Sequence, residues 1–282
     1  MTATATASVR ADARLGFGGV LRSEWIKFTS LRSTYWTTGI IIALWLGLTL
    51  IAAASGMTNP IGPDGQEIPL SGDYLQYNLV MFGTFGVIVG VLVAAIQGVL
   101  AISGEYSTGM IRSSLTAVPG RLAMYVGKAV VVFVWMFLIG AVSTLGSYLV
   151  ALPFLAADGV EATLDGPVLL AYLGAAVYLG LVALFGLGIG TLVRAGAGGI
   201  AIVVGVLLVL PTLILALTFA AEWLGDVLPY VLSQSGAAMS NIEGNPAFGE
   251  LEYGPGVATL ITAAWSGVAL LVGAVALKGR DA

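Results

Sequence analysis

Six long apolar runs dominate the chain and predict six membrane-spanning helices. Each is long enough for the roughly 20 residues with which a helix crosses about 30 Å of hydrocarbon. A cleaved signal peptide is the alternative for the first run, but its length of about 20 residues exceeds the roughly 7–15 of a signal core. The pattern predicts an all-α membrane protein in which residues 15–282 form one six-span domain. The six runs are Trp36–Ser55, Leu79–Ile102, Leu122–Leu152, Pro167–Val193, Gly198–Ala221 and Pro255–Leu277.

The segments outside these runs are polar or amphipathic. Residues 1–14 are small and polar, which predicts a disordered tail. Residues 15–33 predict an amphipathic helix lying on the membrane surface. Residues 222–254 contain an apolar piece too short to span, which predicts a re-entrant or interfacial helix. On the first of these helices the apolar side consists of Val20, Leu21, Trp25, Phe28 and Leu31, and the polar side of Arg22, Ser23, Lys27 and Ser30.

The distribution of charge predicts the orientation of the spans. Only 9% of the residues are charged and the mean hydropathy is +0.99, whereas soluble domains carry about 25% charged residues. Every Lys and Arg falls before the first span, in the polar segment Ser103–Lys128 around the start of span three, between spans four and five, or after the sixth. The opposite loops contain no Lys or Arg, and their charged residues are all acidic. Basic loops stay in the cytoplasm, so both termini are predicted to be cytoplasmic. The basic residues are Arg10, Arg14, Arg22, Lys27, Arg32, Arg112, Arg121, Lys128, Arg194, Lys278 and Arg280.

The residue inventory argues against several kinds of chemistry. The chain has no Cys and no His, which excludes thiol and imidazole catalysis and disfavours zinc or haem ligation. It has no phosphate-binding loop of the form GxxxxGK[ST], so ATP hydrolysis would require another chain. The deep parts of the runs contain no Asp, Glu, Lys or Arg, with Gln97 the most polar side chain, and this disfavours a secondary transporter. We expect no cofactor, no metal, no nucleic-acid partner and no enzymatic activity of its own.

Two features predict details of the helix bundle. The fourth run is rich in glycine, and Gly186-xxx-Gly190 predicts a close helix contact, with tight packing inside one bundle favoured over a contact elsewhere. Pro211 predicts a kink in the fifth span. The glycines of the fourth run are Gly174, Gly180, Gly186, Gly188 and Gly190.

A polar island, Ser103–Lys128, interrupts the apolar pattern between spans two and three. Ser107 or Thr108 can cap the start of a short helix, and Pro119-Gly120 would stop it. Apolar residues at near-helical spacing make this helix amphipathic. A simple loop does not need such local structure, so we expect a partner to dock here. The apolar positions are Met110, Ile111, Leu115 and Val118.

The island resembles the cytoplasmic segment between spans two and three of ABC-2 type exporter permeases. The resemblance lies in Gly104-Glu105-Tyr106, in Thr108-Gly109-Met110-Ile111-Arg112, in Leu115 and in Pro119-Gly120-Arg121, although the small pair is reversed here as Thr-Gly within Ser107-Thr108-Gly109. The amphipathic N-terminal helix, the six spans with both ends inside and the long segment before span six also match that family over nearly the whole chain.

The resemblance implies a function in the bacterial plasma membrane. Residues 103–121 would be a coupling segment that docks on a separate ABC ATPase, two copies of which drive each transporter. The N-terminal helix would touch the same ATPase, and a second permease copy or a related permease would complete the substrate path in the lipid bilayer. The implied docking residues are Glu105, Thr108, Gly109, Arg112 and Arg121 in the segment, and Glu24 and Lys27 in the N-terminal helix.

Alternatives stay open at this point. Glu105 could form only a solvated pair with Arg112 or Arg121, since such surface pairs contribute only about 0–1 kcal/mol. The chain could be a membrane scaffold that recruits a cytoplasmic factor without transport, or, less favoured, a secondary transporter. An apolar path would accept lipids, amphipathic drugs or peptides, and the sequence does not choose among them.

Overall fold

The computed structural model describes residues 16–55, 72–111, 120–242, 245 and 252–279. These residues are almost entirely helical and contain no strand, which confirms the predicted fold class. A π-helical turn occupies Gly205–Val209, and a 3-10 helix occupies Glu222–Tyr230. The α-helices are α1 (Phe17–Ser30), α2 (Arg32–Ala54), α3 (Asp73–Thr84), α4 (Val87–Ser107), α5 (Arg121–Ala157), α6 (Gly166–Val193), α7 (Gly196–Val204), α8 (Leu210–Leu217), α9 (Leu232–Met239) and α10 (Pro255–Gly279).

Within the described residues, six helical stretches are long and apolar enough to cross a membrane, as the sequence predicts. They are α2, α3 with α4, α5, α6, α7 with α8, and α10, so the chain is a multi-pass membrane protein. The second span begins at Asp73, earlier than the predicted Leu79. The polar residues before the apolar run are already helical, and the Asn78 side-chain amide donates a hydrogen bond to the carbonyl of Tyr74 within this helix. The third continues to Ala157 because Pro153 lies in its last turns, where few backbone hydrogen bonds remain to be lost.

The fourth span, α6, lies at the centre of the bundle. It is more than half buried and packs against α4, α5, α9 and α10. A Cβ atom on Gly186 would overlap the carbonyl of Ala95 in α4, and one on Gly188 would overlap the backbone of Ala269 in α10. Gly190 likewise lies against α4. These contacts confirm that Gly186-xxx-Gly190 serves packing inside one bundle, because small residues allow two backbones to approach closely.

The fifth span is irregular one turn before Pro211. The predicted irregularity is a π-helical turn, Gly205–Val209, that leads directly into α8. Proline removes one backbone donor from a helix, and a shift to wider hydrogen bonding is a known way to accommodate that loss. Before the turn, α7 buries Gly199 and Val203, whereas α8 has no buried residue. The second half of the span therefore lies apart from the bundle.

The segment before span six enters the bundle rather than lying on its surface. The 3-10 helix has no buried residue, but most of α9 is buried against α6 and α10. The Ser235 hydroxyl lies 2.9 Å from that of Thr262 in α10, and Gly236 lies directly against the ring of Tyr178 in α6. Of the two predicted forms, the interfacial one does not describe α9. Residues 243–244 and 246–251 of this segment lie outside the described residues.

The N-terminal helix is shorter than predicted, and the side that it buries differs in part from the predicted apolar side. It occupies Phe17–Ser30, and its buried residues are Val20, Glu24 and Phe28, at a spacing of four. Trp25 and Leu31, placed on the apolar side by the sequence, are exposed. The predicted apolar side is therefore correct for Val20 and Phe28, but it missed Glu24, which is buried as one member of an ion pair. The predicted tail, residues 1–14, lies outside the described residues.

Candidate functional site

Four charged side chains from three helices meet in what we term the charge network: Glu24 and Lys27 from α1, Glu105 from α4, and Lys128 from α5. The Lys128 Nζ atom lies 2.7 Å from Glu24 Oε2 and 2.7 Å from Glu105 Oε1. The Lys27 Nζ atom lies 2.7 Å from Glu24 Oε1 and 3.8 Å from Glu105 Oε1. Lys128 thus connects the N-terminal helix to the end of the second span.

Three of the four members are almost completely buried. The exposed fraction is 2% for Glu24, 7% for Glu105 and 5% for Lys128, while Lys27 is partly exposed. Taking an ion out of water costs several kcal/mol, so buried charges persist only when partners compensate them. The network supplies two carboxylates for two ammonium groups and is neutral overall. Glu105 Oε2 is buried and finds no hydrogen-bond partner among the described residues.

The position of Glu105 favours an ion pair with another helix. Glu105 lies in the last turn of α4, where free carbonyl groups repel a negative charge. Lys128, seven residues after the start of α5, supplies the compensating charge. Gly127 permits the close approach, because a Cβ atom there would lie 3.0 Å from a methyl group of Val20 in α1.

The pKa of Glu24 follows from two opposed effects. Burial raises the pKa of this carboxyl group, but the ammonium groups of Lys128 and Lys27 lower it by more, so that it lies below its ordinary value of 4.5. Glu24 is therefore ionised at neutral pH.

Two other basic residues, Arg121 and Arg194, connect helices at the same end of the bundle, which we term the basic end. Arg121 Nη1 donates to the carbonyl of Leu277 over 3.2 Å, and the Arg194 guanidinium lies 5.2 Å above the ring of Tyr106. Arg194 also ends α6 with a φ of 60°, the left-handed conformation that closes many helices. The Arg121 guanidinium lies near the C-terminus of α10, where a positive charge interacts favourably with the helix dipole. The basic end joins α1, α4, α5, α6 and α10.

Neither a protein-family model nor any curated protein matches this chain. Its membership of the ABC-2 permease family stays a prediction. Among the described residues no group of acidic side chains could hold a metal ion, and what the geometry offers chemically is a rigid set of charges at a helix junction.

The structure places the predicted docking residues around the junction that follows α4. The Thr108 hydroxyl donates to the carbonyl of Gly104 over 2.8 Å, and the Ser107 hydroxyl donates to the same carbonyl over 3.0 Å, so both contact the last turn of α4. The helix that they are predicted to cap falls mostly outside the described residues, and this capping stays a prediction. Gly109 has a φ of +71°, in the left-handed region, and the chain changes direction there before Met110. Arg112, with the rest of residues 112–119, lies outside the described residues.

The structure corrects the predicted environment of Glu105 and adds Lys128 to the site. A solvated pair of Glu105 with Arg112 or Arg121 is wrong as its environment, because Glu105 is buried and its ion partner is Lys128. Lys128 itself was not predicted as a site residue. A lysine inside the apolar run Leu122–Leu152 was a detectable sign, since such a residue requires a carboxylate from another helix.

Proposed function

We propose that this chain is the transmembrane permease subunit of an ATP-driven ABC-2 type exporter. It would form the substrate path together with a second permease copy and dock a separate ATPase at its basic end. The observation that carries the proposal is the charge network. It joins the N-terminal helix to the helices before and after the predicted coupling segment. The resemblance assigns that segment and the N-terminal helix to the ATPase contact.

A rigid junction of this kind suits transmission of movement from a partner. Glu105 lies two residues before the end of α4, and Lys128 lies seven residues after the start of α5. A displacement of the segment between these helices would move α4, α5 and α1 together. Nucleotide-driven closure of two ATPases would then shift the bundle between inward-facing and outward-facing states by favouring one of two arrangements.

The described part of the coupling segment combines an anchor with an exposed position. Ile111 is buried in a cluster with Met124, Tyr125 and Leu277, whereas 45% of Met110 is exposed. The positive φ of Gly109 separates both residues from α4. The segment would thus be held by Ile111 while Met110 and the following residues face the ATPase.

A membrane scaffold that recruits a cytoplasmic factor would use the same junction without transport. A secondary transporter is less favoured, since the charged residues of the spans lie near helix ends and the central parts of all six runs contain none. The identity and activity of the partner separate these functions.

Purification from native membranes in mild detergent tests the proposal. We expect a P-loop ATPase to purify with the chain, and the complex, but not the isolated chain, to hydrolyse ATP. Arg112→Ala should reduce recovery of the ATPase, while Asp158→Ala, an exposed residue beyond the far end of α5, should leave it unchanged. Recovery of no ATPase, or ATP turnover by the isolated chain, would exclude the proposed function.

A further inference from the structure

A cavity of about 490 Å³ lies between the second half of span five and the rest of the bundle. Its walls come from the α3–α4 junction, α4, α6, the π-helical turn, α8 and α9. Sites for small molecules typically measure roughly 300–1,000 Å³ and are mainly apolar. The cavity is thus large enough for an organic ligand.

The irregularity of the fifth span creates this space. Before the π-helical turn, Gly199 packs directly on Val99 of α4. Leu208 in the turn, and Pro211 and Leu215 after it, line the cavity instead. On the inner wall Val91 and Tyr178 are buried.

The cavity opens toward the lipid-facing surface of the bundle. Ile88 on one side of the opening is 64% exposed, and Leu208 on the other side is 39% exposed. Both belong to spans, so in a bilayer these apolar side chains face hydrocarbon. A hydrocarbon chain can enter sideways from the membrane without passing through water.

A polar group lies where α9 forms one wall. The Ser233 hydroxyl lines the cavity, is buried, and has no hydrogen-bond partner among the described residues. Ser233 is the second residue of α9, so the carbonyls three and four residues earlier precede the helix, and its hydroxyl cannot make the bond that a serine inside a helix can make to them. A buried hydroxyl without a partner is unfavourable, and a ligand oxygen would supply the missing hydrogen bond. The exposed Gln234 adjoins it.

We propose that this cavity binds a single-chain membrane amphiphile. Its hydrocarbon chain would lie between α4 and the π-helical turn, and its polar head would bond to Ser233 beside Gln234. The site belongs to one copy of the chain and does not depend on whether an ATPase drives it.

Photolabelling of the protein reconstituted in phosphatidylcholine vesicles tests this site. The probe is a lysophosphatidylcholine with a diazirine near the end of its acyl chain. We expect labels to concentrate on Val91, Leu92 and Leu207, and an excess of unlabelled lysophosphatidylcholine to remove them. Labels spread evenly over the lipid-facing helices, with no competition, would overturn the proposal.

Cavity-filling variants make the test specific. Ala237→Trp, in the α9 wall, should lower labelling about tenfold, which corresponds to roughly 1.4 kcal/mol of binding free energy. Ala264→Trp, on the exposed side of α10, should not change it. If Ala237→Trp does not elute as a single folded species, Leu208→Trp on the opposite wall replaces it. Equal labelling of the filled and control variants would contradict the site.

Two further variants examine the chemistry of the occupant. Ser233→Ala should weaken labelling by the lysolipid probe but not by an alkane diazirine that lacks a headgroup, and equal effects on both would refute the headgroup contact.

The chain has no native cysteine, so Leu208→Cys reports on a second copy. A disulfide-linked dimer together with absent labelling would show that another protein chain covers the cavity, and would overturn the proposal.

Discussion

Lys128 is the side chain on which the junction of α1, α4 and α5 depends. It contacts carboxylates from two other helices while almost fully buried. Lys128→Met would leave Glu105 with only the more distant Lys27, at 3.8 Å. Removing one partner of a buried ion pair typically costs roughly 3–5 kcal/mol, so we expect a clear fall in the temperature at which the purified protein loses its monodisperse form.

Two companion variants distinguish charge from packing at this position. Lys278→Met removes an exposed lysine from the end of α10 and should have no effect. Adding Glu105→Gln to Lys128→Met should restore part of the stability, because it removes the buried charge that has lost its partner. If the double variant is no more stable than Lys128→Met, the loss comes from packing and not from charge.

Glu24 gives the junction a dependence on acid pH. Its pKa in the fold lies below the ordinary value of 4.5 because Lys128 and Lys27 outweigh burial. A carboxyl group with a lowered pKa stabilises the fold fully above its unfolded pKa and loses this contribution as the pH falls through its folded pKa. We expect the melting temperature of the native protein to fall more steeply than that of Glu24→Gln below about pH 4.5. Parallel curves for the two proteins would contradict this account.

Sequence reasoning at the residue scale identified candidates but not their environments. Glu24, Lys27 and Glu105 were predicted to face a partner, and the structure shows two of them buried against Lys128. A helical wheel ranks positions by hydrophobicity and cannot recognise a charge that a distant helix compensates. The pair of Glu24 with Lys128 spans 104 residues, so only the three-dimensional arrangement reveals it.

At the scale of elements, the glycines of α6 set how closely the central helices approach. Gly186→Ala would place a methyl group against the carbonyl of Ala95, and backbone atoms cannot rotate away. Overpacking of this kind typically costs about 1–3 kcal/mol. Gly47→Ala in α2 meets nothing within 4 Å and should be neutral or stabilising by up to about 1 kcal/mol, since alanine favours helix. Thermal stability in detergent would compare them, and equal effects would refute the role of Gly186.

The spans were predictable because a membrane-spanning helix requires about 20 consecutive apolar residues, and such runs can be recognised in the sequence. Details within the spans were less accessible. Pro211 predicted a kink in the fifth span, but the π-helical turn and the cavity beside it, whose walls come from distant parts of the chain, were not predicted. The burial of α9 depends on Gly236 meeting Tyr178 from a helix more than 50 residues earlier, which no local pattern encodes.

At the scale of the whole molecule, the basic and acidic residues predict one orientation. Single cysteines at Asp64, Asp158 and Glu243 should react with an impermeant thiol reagent in intact cells, whereas cysteines at Ser113 and Gly196 should not. The native chain lacks cysteine, so labelling reports only the introduced residue. Labelling at Ser113 in intact cells would reverse the orientation and place the basic end outside.

The central claim is that the basic end docks an ATPase, and site-specific cross-linking tests it most directly. A photoreactive amino acid at Arg112 would lie in the predicted coupling segment, and the same group at Asp158 would lie beyond the far end of α5. After illumination of native membranes, we predict a cross-linked product from position 112 that contains a P-loop ATPase, and no such product from position 158. An ATPase product from position 158, or none from position 112, would contradict the account.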